Sequence, residues 1–282
     1  MPGSTHGRDA EEITNRAGRE KYMTISMNPN KNVAETAHVK DSSILGEARV
    51  EDETRVEDSV VEDHAVVRDH AIVKGARLQD VAEVGEGAVV TGDLIRGLGI
   101  TIRGQAKVSG HSRIRDRAHI SGQVYDMAQV NNRAKVFDRA KIFGGATLSG
   151  DAVAEDDAQV FGWACLHDRS RAVADAKVFG EVRLYGNMVV GPRAEVFRPG
   201  HAVYLQGVVP SYEITMYRTS GGGHRLSVGC QSFTLDDLAE VEELAENHGV
   251  DLPDQWETMA RWLQMRAQQW RSDDPCGYQG ED

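Results

Sequence analysis

From Gly122 onward a small residue recurs at every sixth position: Ala128, Ala134, Ala140, Ala146, Ala152, Ala158, Ala164, Ser170 and Ala176, then Val182, Met188 and Ala194. Two residues after each comes an apolar one: Val130, Val136, Ile142, Leu148, Ala154, Val160, Leu166, Ala172, Val178, Leu184, Val190 and Val196. Two further on stand residues that tolerate left-handed backbone angles: Asn132, Asp138, Gly144, Gly150, Asp156, Gly162, Asp168, Gly180 and Gly186. Residues two apart share one side of an extended strand, and a turn at a fixed offset ends that strand. So short a unit cannot bury a core alone, and such units must stack on copies of themselves.

The same unit runs through the N-terminal half as Ala48/Val50, Thr54/Val56, Ala65/Val67, Ala71/Val73, Ala76/Leu78, Ala82/Val84 and Ala88/Val90, with shorter steps, by one residue, at Ser59 and Ala76. It continues through Leu94, Ile100/Ile102, Ala106/Val108, Ser112/Ile114 and Ala118/Ile120, and shortens again to enter Gly122, with no long insertion in the coils. Three units per coil predict a parallel β-helix of about 18 residues per turn, about nine coils and about 43 Å of rod between residues 37 and 205. Asp52, Asp58, Asp63 and Asp69 look like paired carboxylates, but each fills the turn slot of its unit.

Aromatic spacing checks the coil length independently. Tyr125, Phe143, Phe161, Phe179 and Phe197 recur once per predicted coil and each follows an inward aliphatic; four of the six phenylalanines fall on this line. Such rings stack on one face at about 4.8 Å per step. Three uses fit a ladder of this kind: a structural staple, a subunit contact or a binding strip.

The ends differ from the rod. Residues 1–30 are polar and aperiodic and read as a disordered leader, with Met23 and Met27 as internal start candidates. The solenoid is assigned to 31–207 and a C-terminal module to 208–282. In that module Ser211 to Thr219 and Arg225 to Gln231 alternate as two strands around Ser-Gly-Gly-Gly, which predicts a hairpin. Thr234 caps a first helix closed by Gly249, and a second follows Pro253 with Trp256, Met259, Leu263, Ala267 and Trp270 on one face. Its three tryptophans, Trp256, Trp262 and Trp270, are binding or interface candidates, although packing is the commoner use of such a stripe.

Composition narrows the class. No apolar run is long enough to span a bilayer and no basic, apolar, small-residue leader opens the chain, so the expectation is a cytoplasmic protein that does not cross a membrane. Cys165, Cys230 and Cys276 form neither a disulfide framework nor a metal-binding pair. Residues 46–93 hold 13 acids and 5 bases, 234–282 hold 13 and 3, and 94–205 hold 11 and 16. A mildly basic middle between acidic ends, in a chain of net charge -12, makes nonspecific nucleic-acid binding an unfavourable expectation.

The repeat resembles that of the hexapeptide-repeat, left-handed β-helix superfamily, which includes acyltransferases and γ-class carbonic anhydrases. The resemblance implies a single-stranded left-handed parallel β-helix with a small α+β C-terminal cap, assembled as a homotrimer with sites between subunits. In the enzymes glycine directly follows the aliphatic; here it stands one place later, as in Val160-Phe161-Gly162-Trp163-Ala164 and Ile142-Phe143-Gly144-Gly145-Ala146. That pattern is more similar to YdcK-type and phage-encoded repeat proteins. The segment from Gly229 to Leu238 is similar to a small module that often follows such repeats in phage proteins.

Three functions are therefore open. The first is a noncatalytic structural or binding solenoid of phage type, in the bacterial host cytoplasm or on the virion, presenting a regular face to a protein partner or small-molecule ligand. The second is an acyltransferase using an acyl-CoA or acyl-carrier donor in an intersubunit groove, which requires a general base; His111, His119 and His167 are the weak candidates, and no catalytic residue is assigned. The third is an acidic decoy or sponge that sequesters a host factor or signalling molecule. No cofactor is expected, and His64 and His70, lacking a third imidazole in register, predict no metal site.

Overall fold

The computed structural model describes residues 32–97, 99–209, 212–228, 231–234, 242–243, 246–247 and 256–270. The expected leader, 1–30, lies outside them, as does nearly all of the first C-terminal helix. Three nine-stranded parallel sheets make a β-solenoid of nine coils, each sheet taking every third strand. The first face runs from His38–Lys40 to Arg183–Leu184, the second from Ser43–Ile44 to Val189–Val190, and the third from Arg49–Val50 to Glu195–Val196. Most strands are very short because a turn interrupts every repeat unit.

Register reproduces the repeat length. Ile142 pairs with Val160 and Val160 with Val178, three full units on, whereas Val50 pairs with Val67 because one unit there is a residue short. Inward residues from Val50 to Val196 form one continuous core of almost wholly buried side chains. Small residues occupy the corners of that core, where Ala128, Ala146 and Ala164 are fully buried.

The turns are a second ladder. Asp52, Asp69, Glu86, Asp126 and Asp168 hold positive φ, which short polar side chains tolerate better than branched ones. Their carboxylates also reach the next coil. Asp52 accepts from the Asp69 N–H at 3.0 Å, Asp69 from Glu86 at 2.9 Å, Asp126 from Gly144 at 3.0 Å and Asp168 from Gly186 at 3.0 Å. Aspartate in this slot therefore both forms its own turn and satisfies a backbone donor of the turn above.

The coils do carry an insertion, contrary to the expectation of an unbroken path. Between Val89–Gly92 and Ile100–Ile102 the chain leaves the coil at Asp93, with a 3-10 turn at Leu94–Arg96 capped by Gly97. Consequently Val84 pairs with Val108, a full repeat unit later than an unbroken coil allows, and Leu94 is not an inward repeat position. The periodic reading missed the loop because Leu94 happens to fall in register. Coils close tightly around it: a Cβ on Gly75 would lie 2.2 Å from the Gly92 carbonyl oxygen. The later shortening of the repeat is likewise met by a glycine, since a Cβ on Gly122 would lie 2.6 Å from Ala140 O.

A four-stranded antiparallel sheet closes the end of the rod, in the order Ala202–Val209, Tyr212–Arg218, His224–Val228 and Gln231–Phe233. Its central pair is the hairpin around Ser220 to Gly223, with Ile214 opposite Val228 and Arg218 opposite His224. The first strand crosses position 207, where the sequence divides rod from module. Alternation then works on two sides. Tyr217 joins the solenoid core and the Val189 N–H donates to Thr215 Oγ1 at 3.1 Å, while Ile214 and Met216 face the helix Trp256–Gln269. That helix buries Trp256, Ala260, Leu263 and Ala267 there, and Trp270 follows them. Among the described residues no helix is long and apolar enough to cross a membrane.

Candidate functional site

Each ring of the ladder leaves the third face beside its inward aliphatic and stacks on the next coil. Centroid separations are 5.0 Å for Tyr125–Phe143, 4.8 Å for Phe143–Phe161, 4.7 Å for Phe161–Phe179 and 5.3 Å for Phe179–Phe197, with the first three pairs within 4° of parallel. Exposure falls toward the cap: Tyr125 and Phe143 are half-buried, while Phe161, Phe179 and Phe197 are buried by their own chain. Burial pushes the Tyr125 hydroxyl pKa up. At the cap His201 meets Phe197 edge-on at 4.5 Å and lies 6.0 Å from Trp270. The aromatic line thus continues into the module, where Trp256 and Trp270 are interior and Trp262 stays exposed.

The candidate histidines do not converge. His111 is exposed just beyond Gly110, at the corner between the third and first faces. His119 projects from the second face, between Thr101 and Lys135. His167 closes a first-face strand and shares a 2.6 Å hydrogen bond, through Nδ1, with Ser149 Oγ one coil below. A serine and an imidazole at that distance resemble half of a nucleophilic constellation, but among the described residues no carboxylate orients the other ring nitrogen. Cys165 on the same face has its thiol pKa pushed up by burial, opposite to nucleophile activation. Among the described residues no three His, Cys, Asp or Glu side chains are grouped to hold a metal ion.

Two features escaped the sequence reading. Trp163 and Met127 are 61% and 57% exposed at the corner beside the ladder, and the Trp163 ring lies over Gly145, where a Cβ would sit 2.5 Å from it. A tryptophan in a slot that polar residues usually fill was the available signal. The second feature is electrostatic. Elsewhere on the rod most bases are paired: Arg55 and Lys74 with Glu57, Arg77 with Glu62, Arg139 with Asp157, and Arg171 with Glu155. Residues 97–137 instead hold seven Lys and Arg against two acids, Asp116 and Asp126. Both of those carboxylates are engaged in capping the turns at Asn132 and Gly144.

Comparison with family models, curated proteins and solved structures finds no match to the chain.

The basic region turns the corner from the first face to the second. Arg113 and Arg115 point outward from one strand, Arg117 stands at the corner, and His119 follows on the second face. Burial, followed by Lys135 and Arg103, pushes the His119 pKa down. Beside Arg117 lies an open groove of about 580 Å³ bordered by Thr91, Asp93, Asp116, Asn132 and Arg133, next to the insertion. Further up the same corner, a groove of about 450 Å³ runs past Asp151, Arg169, Asn187 and Tyr204.

Proposed function

We propose that the chain is a noncatalytic structural or binding solenoid of phage type, left-handed and homotrimeric, which presents a regular face to a protein partner or small-molecule ligand in the host cytoplasm or on the virion. One observation carries the reading. His111, His119 and His167 occupy different parts of the coil, whereas the outward positions form unbroken columns over nine coils. A general base acts within hydrogen-bond reach of its proton, together with groups that hold the substrate, and columns spread over separate faces supply recognition without that convergence.

Titration with acetyl-coenzyme A tests this against the acyltransferase alternative. The expected result is no saturable binding and no acetyl transfer to amine or hydroxyl acceptors. Saturable binding abolished by His111→Ala, His119→Ala or His167→Ala overturns it.

A further inference from the structure

The outward residues of coils four to six place Arg103 and Lys135 beside one imidazole, with Arg117 at the adjoining corner. In register, Thr101 lies beneath His119 and Lys135 above it, about 4.8 Å per step. Arg117 stands at the corner just before this strand, exposed, with fully buried Ala118 between it and His119. Arg103 is brought alongside by its N–H, which donates to Ile120 O at 3.0 Å. Lys135 Nζ lies 6.0 Å from the centre of the Phe137 ring, a contact that leaves its charge in place. Arg133, in the coil above Arg117, is already paired with Asp151 at 2.6 Å. Among the described residues no carboxylate pairs with Arg103, Arg117 or Lys135, although the chain carries 44 acids and 32 bases.

We propose that this array on the second face is a binding site for a tetrahedral oxyanion, phosphate or sulfate, free or as the monoester group of a small molecule. Two cationic side chains beside a neutral donor, with a third at the adjoining corner, match a compact anion with several acceptor oxygens, since planar guanidinium groups bind such oxygens in pairs. Asp116 and Asp138, the acids nearest in sequence, form no ion pair with the three cations, and Asp116 accepts from the Asn132 N–H instead. A long nucleic-acid tract fits less well, because the cations form one cluster beside acidic coils rather than a stripe. His119 makes the site pH-dependent. The groups facing it are Thr101, Lys135 and Arg103, all neutral or positive, with Arg117 at the corner before its strand, and burial, then Lys135 and Arg103, disfavours its protonation. A bound dianion opposes that field and favours protonation.

The inference rests on the binding-solenoid reading, and its failure is distinguishable from that reading's: loss of oxyanion binding leaves oligomer and acyl-CoA results untouched. The test uses the full chain at constant ionic strength, titrating sodium phosphate, sodium sulfate and adenosine monophosphate against sodium chloride, with His119 followed by NMR. Expected are saturable binding, a His119 titration midpoint that rises on adding phosphate, and an affinity at least tenfold weaker in Arg117→Gln/Lys135→Gln with thermal melting unchanged. Binding of phosphate and sulfate identifies a free-oxyanion site, and binding of adenosine monophosphate alone identifies a monoester site. Indifference of the His119 midpoint to all three, or equal effects of chloride, overturns the proposal, as does tight binding of duplex DNA with no response to phosphate.

Discussion

The Arg218 guanidinium carbon lies 4.8 Å from the centre of the Phe197 ring, and its Nη1 donates to Glu195 Oε2 at 2.5 Å. One side chain therefore joins the last rung of the ladder, the last strand of the third face and the antiparallel sheet. Arg218 also donates to the Trp270 and Thr219 carbonyls, so its buried charge is bonded on several sides. Capping here is a specific lock as well as a cover for open strand edges.

Arg218→Met should undo that lock. It leaves Glu195 without its cation in a partly buried site, and breaking such a pair costs about 3 kcal/mol. Chemical denaturation should show this loss, with protease cleavage of the module appearing before the rod unfolds. Adding Glu195→Gln should recover part of the cost, and a double-mutant cycle that finds no coupling contradicts the lock.

The ladder makes a graded prediction. Phe179 is 3% exposed between two rings, and truncating a buried phenylalanine costs about 3–5 kcal/mol. Phe179→Ala should approach that range, whereas Tyr125→Ala, at the half-buried open end, should cost about 1 kcal/mol. Equal losses by urea denaturation argue against a staple whose weight lies at the cap.

Inward and outward positions of one strand should differ sharply. Val160→Asp places a carboxylate among Ile142 and Val178 with no partner, and the mechanism of unpaired buried charge predicts loss of the native state. Gln159→Asp, at the neighbouring outward position, should shift stability by less than about 0.5 kcal/mol. Circular dichroism melts of the two variants decide this.

His119 gives a pH dependence whose sign follows from its lowered pKa. The unfolded chain binds this proton more readily than the folded one, so its contribution to stability is complete above the usual imidazole value of about 6.5. It is lost as pH falls through that value toward the lower folded one. Melting temperature should therefore drop between pH 7 and pH 5, and His119→Gln should drop less than the parent.

Solenoid, coil length and ladder were all legible because each depends on a fixed spacing. Three stacked units per coil force Val50 onto Val67 and Phe161 onto Phe179. The insertion around Leu94–Arg96 was illegible because Leu94 mimics a repeat residue, and Ala202–Val209 because its start overlaps the last repeats. Charge behaved differently. Arg117, His119, Arg133 and Lys135 could be counted in the sequence, but their meeting depends on which strand stacks on which, as when His119 pairs with Lys135. Whether a base is paired is a three-dimensional property: Arg139 reaches Asp157 in the next coil, and Arg117 meets no such carboxylate among the described residues.

The proposed function is a homotrimeric binding surface carried by a regular solenoid. A native mass spectrum of the full chain, isolated gently from cells, tests it most directly because stoichiometry and retained ligands appear together. A trimer is predicted, bare or carrying a small anion removed by Arg117→Gln/Lys135→Gln. A monomer at micromolar concentration contradicts it.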